Sequence, residues 1–294
     1  MKLEPECIGC LFNQMFKAFS SFQTNYSRET IIKAQKKLMK YLLDFDINKN
    51  AAPHLGRITY KIIAEILGEE DPYYKLKMKY NKLVLNYFEE ITKIIDSSKD
   101  SLFKSILASA LGNTIDFASQ HKMDIISDLE DFSIESLAIN DYHEFKKSLE
   151  NPDHLLIIGD NAGEIVFDKI LIIYLKKFYP ELEIVYSVRS EPIINDATIE
   201  DAKFIGLTEL VKVIESNNAP GIILSDATNE FKKYFLKEKG VILSKGQGNF
   251  ESLYGMNIPK KDVYYLLKAK CNLMERIFGV KLGDLIFKKK NNGF

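Results

Sequence analysis

The chain has 294 residues, 46% hydrophobic and 28% charged, enough to bury a large core and longer than the usual single domain. Lysine and arginine total 40 against 41 aspartate and glutamate, so a formal charge of −1 offers no whole-chain field to draw nucleic acid or an anionic membrane, and a small molecule is the expected partner. No run of about 18 apolar residues occurs, the start MKLEPECIGC lacks the apolar segment of a secretion signal, and three cysteines are too few for a secreted disulfide framework, which together fit a cytoplasmic chain.

From about residue 9 to 120, apolar residues recur at three- and four-residue steps through LFNQMFKAFSSF, ETIIKAQKKLMKYLLDF, GRITYKIIAEILG, DPYYKLKMKYNKLVLNYFEEITKIID and SLFKSILASALGNTIDFAS, which predicts five successive helices. Residues 46–53 (DINKNAAP) and 68–72 (GEEDP) read as stops and restarts, with Asp71 as N-cap and Pro72 at the first helical position. Residues 121–152 are acidic and irregular and read as a helical connector. Beyond 152 the short runs HLLIIG, EIVYSV, VKVI, GIILS, GVILS and VYYLLKA alternate with amphipathic stretches, the pattern of a mostly parallel sheet covered by helices. The expectation is an α/β protein, with an N-terminal helical domain over residues 1–100 and an α/β/α sandwich over 101–294. The tail FKKKNNGF reads as a frayed, solvated end.

Open parallel sheets bind ligands at the carboxyl ends of their strands, where loops and helix N-termini converge. The runs here end in Asp160 and Asn161, in Arg189 followed by Asn195 and Asp196, in Asp226, in Lys245 within KGQGN, and in Lys268 and Lys270. Asp160 and Asn161 have two readings. They can cap the helix AGEIVFDKILIIYLKKF while Gly163 permits the turn, or they can offer hard oxygen ligands to a divalent cation, with Asp196 as the second carboxylate. Lys245, Gly246, Gly248 and Asn249 suit either an ordinary glycine turn or a phosphate held by a point charge and backbone amides. Neither a Walker A loop nor a G-x-G-x-x-G is present, which disfavours nucleotide and dinucleotide cofactors.

Taken together, DNAGEIVFDK, PIINDATIEDA and KGQGNFE, with the N-terminal CIGC, GNTIDF at 112–117 and LLKAKC at 266–271, resemble the DUF89 family of metal-dependent damage-control phosphatases, in its CxxC-bearing subgroup. The resemblance covers nearly the whole chain. It implies a helical region attached to an α/β/α sandwich, and a divalent-metal (Mg, Mn, Co or Ni) phosphatase acting on small phosphorylated metabolites, sugar phosphates among them. It further implies Asp160, Asn161 and Asp196 as metal ligands, Lys245 as the phosphate holder, and Asn113 and Asp116 beside the same site. Lys270 matches the second basic residue of an Arg-Thr-x-Lys pattern found in another subgroup, where Lys268 and Ala269 stand here in place of Arg and Thr.

Phosphate-ester hydrolysis requires neutralising charge on the phosphoryl oxygens while a nucleophile approaches in line. That nucleophile is either water or Asp196. Glu164 either orients the water or contacts substrate hydroxyls, or is a plain first-turn acid favoured by the helix dipole, and Arg189 is a further expected substrate contact. Cys7, Cys10 and Cys271 are packing thiols, metal or redox ligands near the site, or a disulfide pair with a third thiol. Two other classes suit the same architecture: an S-adenosylmethionine-dependent methyltransferase, which lacks its glycine-rich loop here, and a non-catalytic phosphometabolite-binding protein. The oligomeric state stays open between a monomer and a small homo-oligomer.

Overall fold

A computed structural model describes residues 1–21, 26–112, 122–131, 133, 136–258 and 261–291. Three helices come first: α1 (Pro5–Ser21), α2 (Arg28–Leu43) and α3 (Ala52–Leu67). Leu11, Met15, Ala18 and Phe19 line one face of α1 and pack on Ala34 and Leu38 of α2 and on Leu55, Ile62 and Ile63 of α3. Ser27 caps α2 by accepting the Thr30 N–H, and Gly68 ends α3 in the left-handed region, as the stop signals require.

The long fourth run is two helices, α4 (Tyr74–Leu85) and α5 (Phe88–Ser97). At Tyr87 the N–H bonds back only three residues, to Val84. The bend lets α4 lie on α9 while α5 lies against α6. The start of α4 also differs from expectation. Asp71 accepts the Tyr73 N–H in a turn ahead of the helix and pairs with Lys77 at 2.7 Å, so it braces the first turn as an ion partner instead of capping it.

Next come α6 (Ser101–Gly112), buried on nearly every face, and α7 (Lys122–Asp131). The connector then contributes a strand that its irregular pattern did not announce, β1 (Leu137–Asn140), followed by α8 (Tyr142–Ser148). The alternating half is β2 (His154–Ile158), α9 (Glu164–Phe178), β3 (Ile184–Val188), α10 (Ile199–Phe204), β4 (Lys212–Glu215), α11 (Asn229–Leu236), β5 (Gly240–Lys245), α12 (Gln247–Leu253), β6 (Asp262–Lys268), α13 (Asn272–Phe278) and β7 (Leu285–Lys289). The seven strands lie in the order β1-β7-β6-β5-β2-β3-β4, and every neighbouring pair is parallel except β6 with β7. Helices α5, α6, α9 and α10 cover one face and α11, α12 and α13 the other, a three-layer α/β/α arrangement in which β2, β3 and β5 are buried along their whole length.

Two sequence expectations change here. GIILS (221–225) is no strand: Ile222 N–H donates to the Ser252 hydroxyl and Ile223 N–H to Asn217 Oδ1, so side chains satisfy a backbone that turns while its isoleucines fill the core. The tail enters strand β7 as far as Lys289, because Ile286 and Phe287 fill opposite faces of the sheet and β7 bridges β1 to β6, and residues 292–294 lie outside the described residues. Among the described residues no helix is long and apolar enough to cross a membrane.

Candidate active site

The carboxyl end of β2 and the loop after β3 are joined by backbone. Ala197 N–H donates to Asp160 C=O and Ala162 N–H to Asn195 C=O, each at 2.8 Å, which makes an isolated antiparallel bridge between Asn161 and Asp196. Two residues distant in sequence are thereby paired by main-chain bonds. Ile194, a β-branched residue at φ +47°, turns the chain into this bridge, a strained conformation of the kind concentrated at functional sites. The Asn161 amide nitrogen donates to Asp160 Oδ2 at 2.7 Å and to Glu164 Oε2 at 3.3 Å.

Asp160, Asn161 and Asp196 line one wall of a cleft of about 570 Å³. Gln247, Gly248, Glu251, Lys270 and Cys271 form its side, and Cys7, Cys10 and Tyr60 of the N-terminal helices face them. Among the described lining residues Lys270 is the one cation, and its charge acts directly on Asp160. Gly246, at φ +77°, leaves no room for a side chain, since a Cβ there would collide with the Asp160 carboxylate; at Gly248 it would strike the Pro220 carbonyl. The glycines of KGQGN thus permit close packing, and of the two only Gly248 faces the cleft.

Three expected contacts lie behind the cleft wall. Arg189 is buried, donating through Nε to Asp196 Oδ2 at 2.7 Å and through Nη2 to Asn249 Oδ1 at 3.0 Å, with Asp160 Oδ1 at 3.8 Å. Asn249 in turn donates to the carbonyls of Gly159 and Lys245. Both are struts for the carboxylates, with every polar end spent inside the protein. Lys245 is likewise buried on the opposite side, where its ammonium meets Asp168 Oδ1 at 2.6 Å, Ser109 Oγ at 2.6 Å and Glu164 Oε1 at 2.8 Å. An ammonium has three protons, and these partners use them. Glu164 is buried with it, below the cleft surface. Asn113 and Asp116 lie outside the described residues.

Burial, then Asp196 and Glu164, push the Asp160 carboxyl up to about 7. Burial also raises Asp196, although Arg189 opposes the shift. Burial by itself disfavours the Lys245 ammonium, but Asp168 and Glu164 outweigh it and keep its pKa above the ordinary lysine value. Two buried carboxylates with a carboxamide form a hard oxygen donor set that suits a divalent cation. At the rim, burial and then Glu251, with Cys271 and Cys10 also nearby, push the Cys7 thiol up to about 11. All three thiols are free and face this cleft.

Several supporting residues escaped the sequence reading: Ser109, Asp168, Tyr186, whose hydroxyl donates to Asp168 Oδ2 at 2.8 Å, Asn81, Lys77 and Asp201. Asp168 had a signal, since it lies four residues after Glu164 on one helix face. Asn81 had another, as an amide beside the inward positions Tyr80 and Val84.

The chain matches the damage-control phosphatase ARMT1-like domain over residues 3–286. An uncharacterized protein of Methanocaldococcus jannaschii is 35% identical over 99% of this chain and 96% of its own. A damage-control phosphatase of Pyrococcus horikoshii is 32% identical over 97% of each chain. The crystal structure of a DUF89 family protein from Pyrococcus horikoshii superposes with a TM-score of 0.88 at 29% identity, covering 99% of this chain and 100% of that one. The methyltransferase alternative finds no support in these matches, and the chain belongs to the damage-control phosphatase ARMT1-like family, the DUF89 fold, as a phosphatase.

Proposed function

We propose that this phosphatase hydrolyses phosphate monoesters of small metabolites with a divalent cation held by Asp160, Asn161 and Asp196. The observation that carries this reading is the backbone bridge that gathers two buried carboxylates and an amide at one cleft wall, where burial raises both acids. A bound divalent cation supplies charge neutralisation at the phosphoryl oxygens. Lys270 supplies a second positive charge from the side of the cleft, where Gly248 also lies. Arg189 donates to Asp196 Oδ2 and so occupies that oxygen and fixes the side chain, which hinders its use as a nucleophile and favours attack by water. Lys245, expected to hold the phosphate, instead neutralises Glu164 and Asp168 behind the wall, and Glu164 accepts from the Asn161 amide and so orients it. Lys268 and Ala269, in place of Arg and Thr, leave the choice among phosphorylated metabolites to the remainder of the cleft.

The test is inorganic phosphate release from a panel of phosphorylated sugars, nucleotides and cofactor intermediates with Mg²⁺, Mn²⁺, Co²⁺, Ni²⁺ or EDTA, using wild type beside Asp160→Ala. Turnover that needs the ion and falls by at least about 100-fold in the variant is expected for a residue that positions charge in the transition state. Ion binding without turnover of any ester would make the chain a phosphometabolite-binding protein.

A further inference from the structure

Asn81 is fully buried on α4, with Lys77 and Tyr80 beside it. A buried carboxamide is costly unless both its ends are bonded, and here each end meets a different loop. Its Oδ1 accepts the Gly163 N–H at 2.7 Å, and its Nδ2 donates to Asp201 Oδ1 at 2.8 Å. Gly163 closes the loop that carries Asp160 and Asn161. Asp201, through Oδ2, accepts from both the N–H and the hydroxyl of Thr198 at 2.9 Å, two residues beyond Asp196. Lys77 provides the charge partner of Asp201, at 3.4 Å, so Asn81 is not needed to neutralise it. The Asn161–Asp196 bridge joins the loops at their tips, and the Asn81 amide joins them where they enter α9 and α10. Two joints stop the loops pivoting about one.

Building on the ion-holding role proposed above, we propose that Asn81 is a positioning residue for Asp160, Asn161 and Asp196, its amide setting the separation of the two loops that present them. Residues of this kind, which orient ligands without touching the ion, typically change metal affinity by about 10- to 100-fold when removed.

The experiment uses the full chain stripped with EDTA. Mn²⁺ binding by calorimetry, thermal unfolding, and kcat and KM for a turned-over phosphomonoester are measured for wild type, Asn81→Ser and Asn81→Asp. The serine hydroxyl reaches one partner only, and the aspartate keeps the Gly163 bond while facing Asp201 with like charge. Ile95→Ala, a cavity in the α5 core away from these loops, serves as a variant destabilised by packing alone. Mn²⁺ affinity at least about 10-fold weaker in both Asn81 variants, with kcat recovering at saturating Mn²⁺ and wild-type affinity in Ile95→Ala, is the expected result. Wild-type Mn²⁺ affinity in the Asn81 variants overturns the inference and leaves the proposed function standing. A wild type that binds no divalent ion overturns the ion-holding reading itself, and this inference with it. If neither Asn81 variant folds, Asp201→Asn, which cuts the far end of the same bridge, is read by the same criterion.

Discussion

Asp160 stands among Asp196, Glu164 and the Gly246 turn, and its carboxyl holds a proton to about 7 because burial and then those two acids disfavour its charge. The folded chain therefore binds more protons than the unfolded one between the ordinary aspartate value of 3.8 and about 7. Stability contributed by this group is full below the lower value and is lost as pH rises through the upper one. Thermal unfolding of EDTA-treated protein should show a midpoint that declines between pH 5 and pH 7 through this group, while saturating Mn²⁺ removes that decline by favouring the ionised carboxylate; equal slopes with and without Mn²⁺ would contradict the assignment. Lys245 allows a sharper distinction. Replacing it with methionine leaves Asp168 and Glu164 buried without their cation, a loss of about 3–5 kcal/mol in stability. A direct phosphate contact would instead leave stability nearly unchanged and raise KM, so unfolding and kinetics on Lys245→Met separate the two roles.

At the scale of elements, the turn from β5 into α12 and the loops after β2 and β3 form one unit. Gly246→Ala puts a methyl group against the Asp160 carboxylate at a φ of +77°, where an alanine is also strained. Displacement of Asp160 should abolish measurable Mn²⁺ binding by calorimetry while the far-ultraviolet dichroism stays native; unchanged binding would place the ion elsewhere. The period-two rule of strands accounts for Lys245. It shares parity with Val241 and Leu243, whose side chains face α6 and α9, so the last residue of β5 points toward Ser109 and Asp168 and away from the cleft. Arg189, one residue past β3, is gripped by Asn249 of α12 on the opposite side of the sheet.

Across the molecule, the helical N-terminal region takes part in the site. Helix α3 packs on α12, which brings Tyr60 and the α1 thiols to the cleft, and α4 reaches the loops through Asn81 and Lys77. The far edge of the sheet depends on β7, which is the sole strand partner of β1 among the described residues and lies antiparallel to β6. A chain stopped after Asp284 would leave β1 without its ladder and uncover Phe145 and Tyr264, which pack on Phe287. Loss of a single cooperative unfolding transition is expected in calorimetry of that truncation. A two-state transition at the wild-type midpoint would return the tail to the frayed end its lysines suggest.

By itself the sequence determined the α/β class and most of the strands, because short-range periodicity and turn chemistry are written locally, whereas Asp160, Asn161 and Asp196 meet on one cleft wall only through the backbone bridge between two loops. The sequence also determined that KGQGN turns sharply into a helix. The tertiary structure decided which strand-end residues face the cleft. Parity assigns a side chain to one side of a strand, but which helix covers that side depends on contacts such as Lys245 with Ser109, separated by 136 positions. The same holds for Asn81, whose two partners lie 82 and 120 positions along the chain. A buried amide takes its role from the loops it joins, and only folding brings those loops to it.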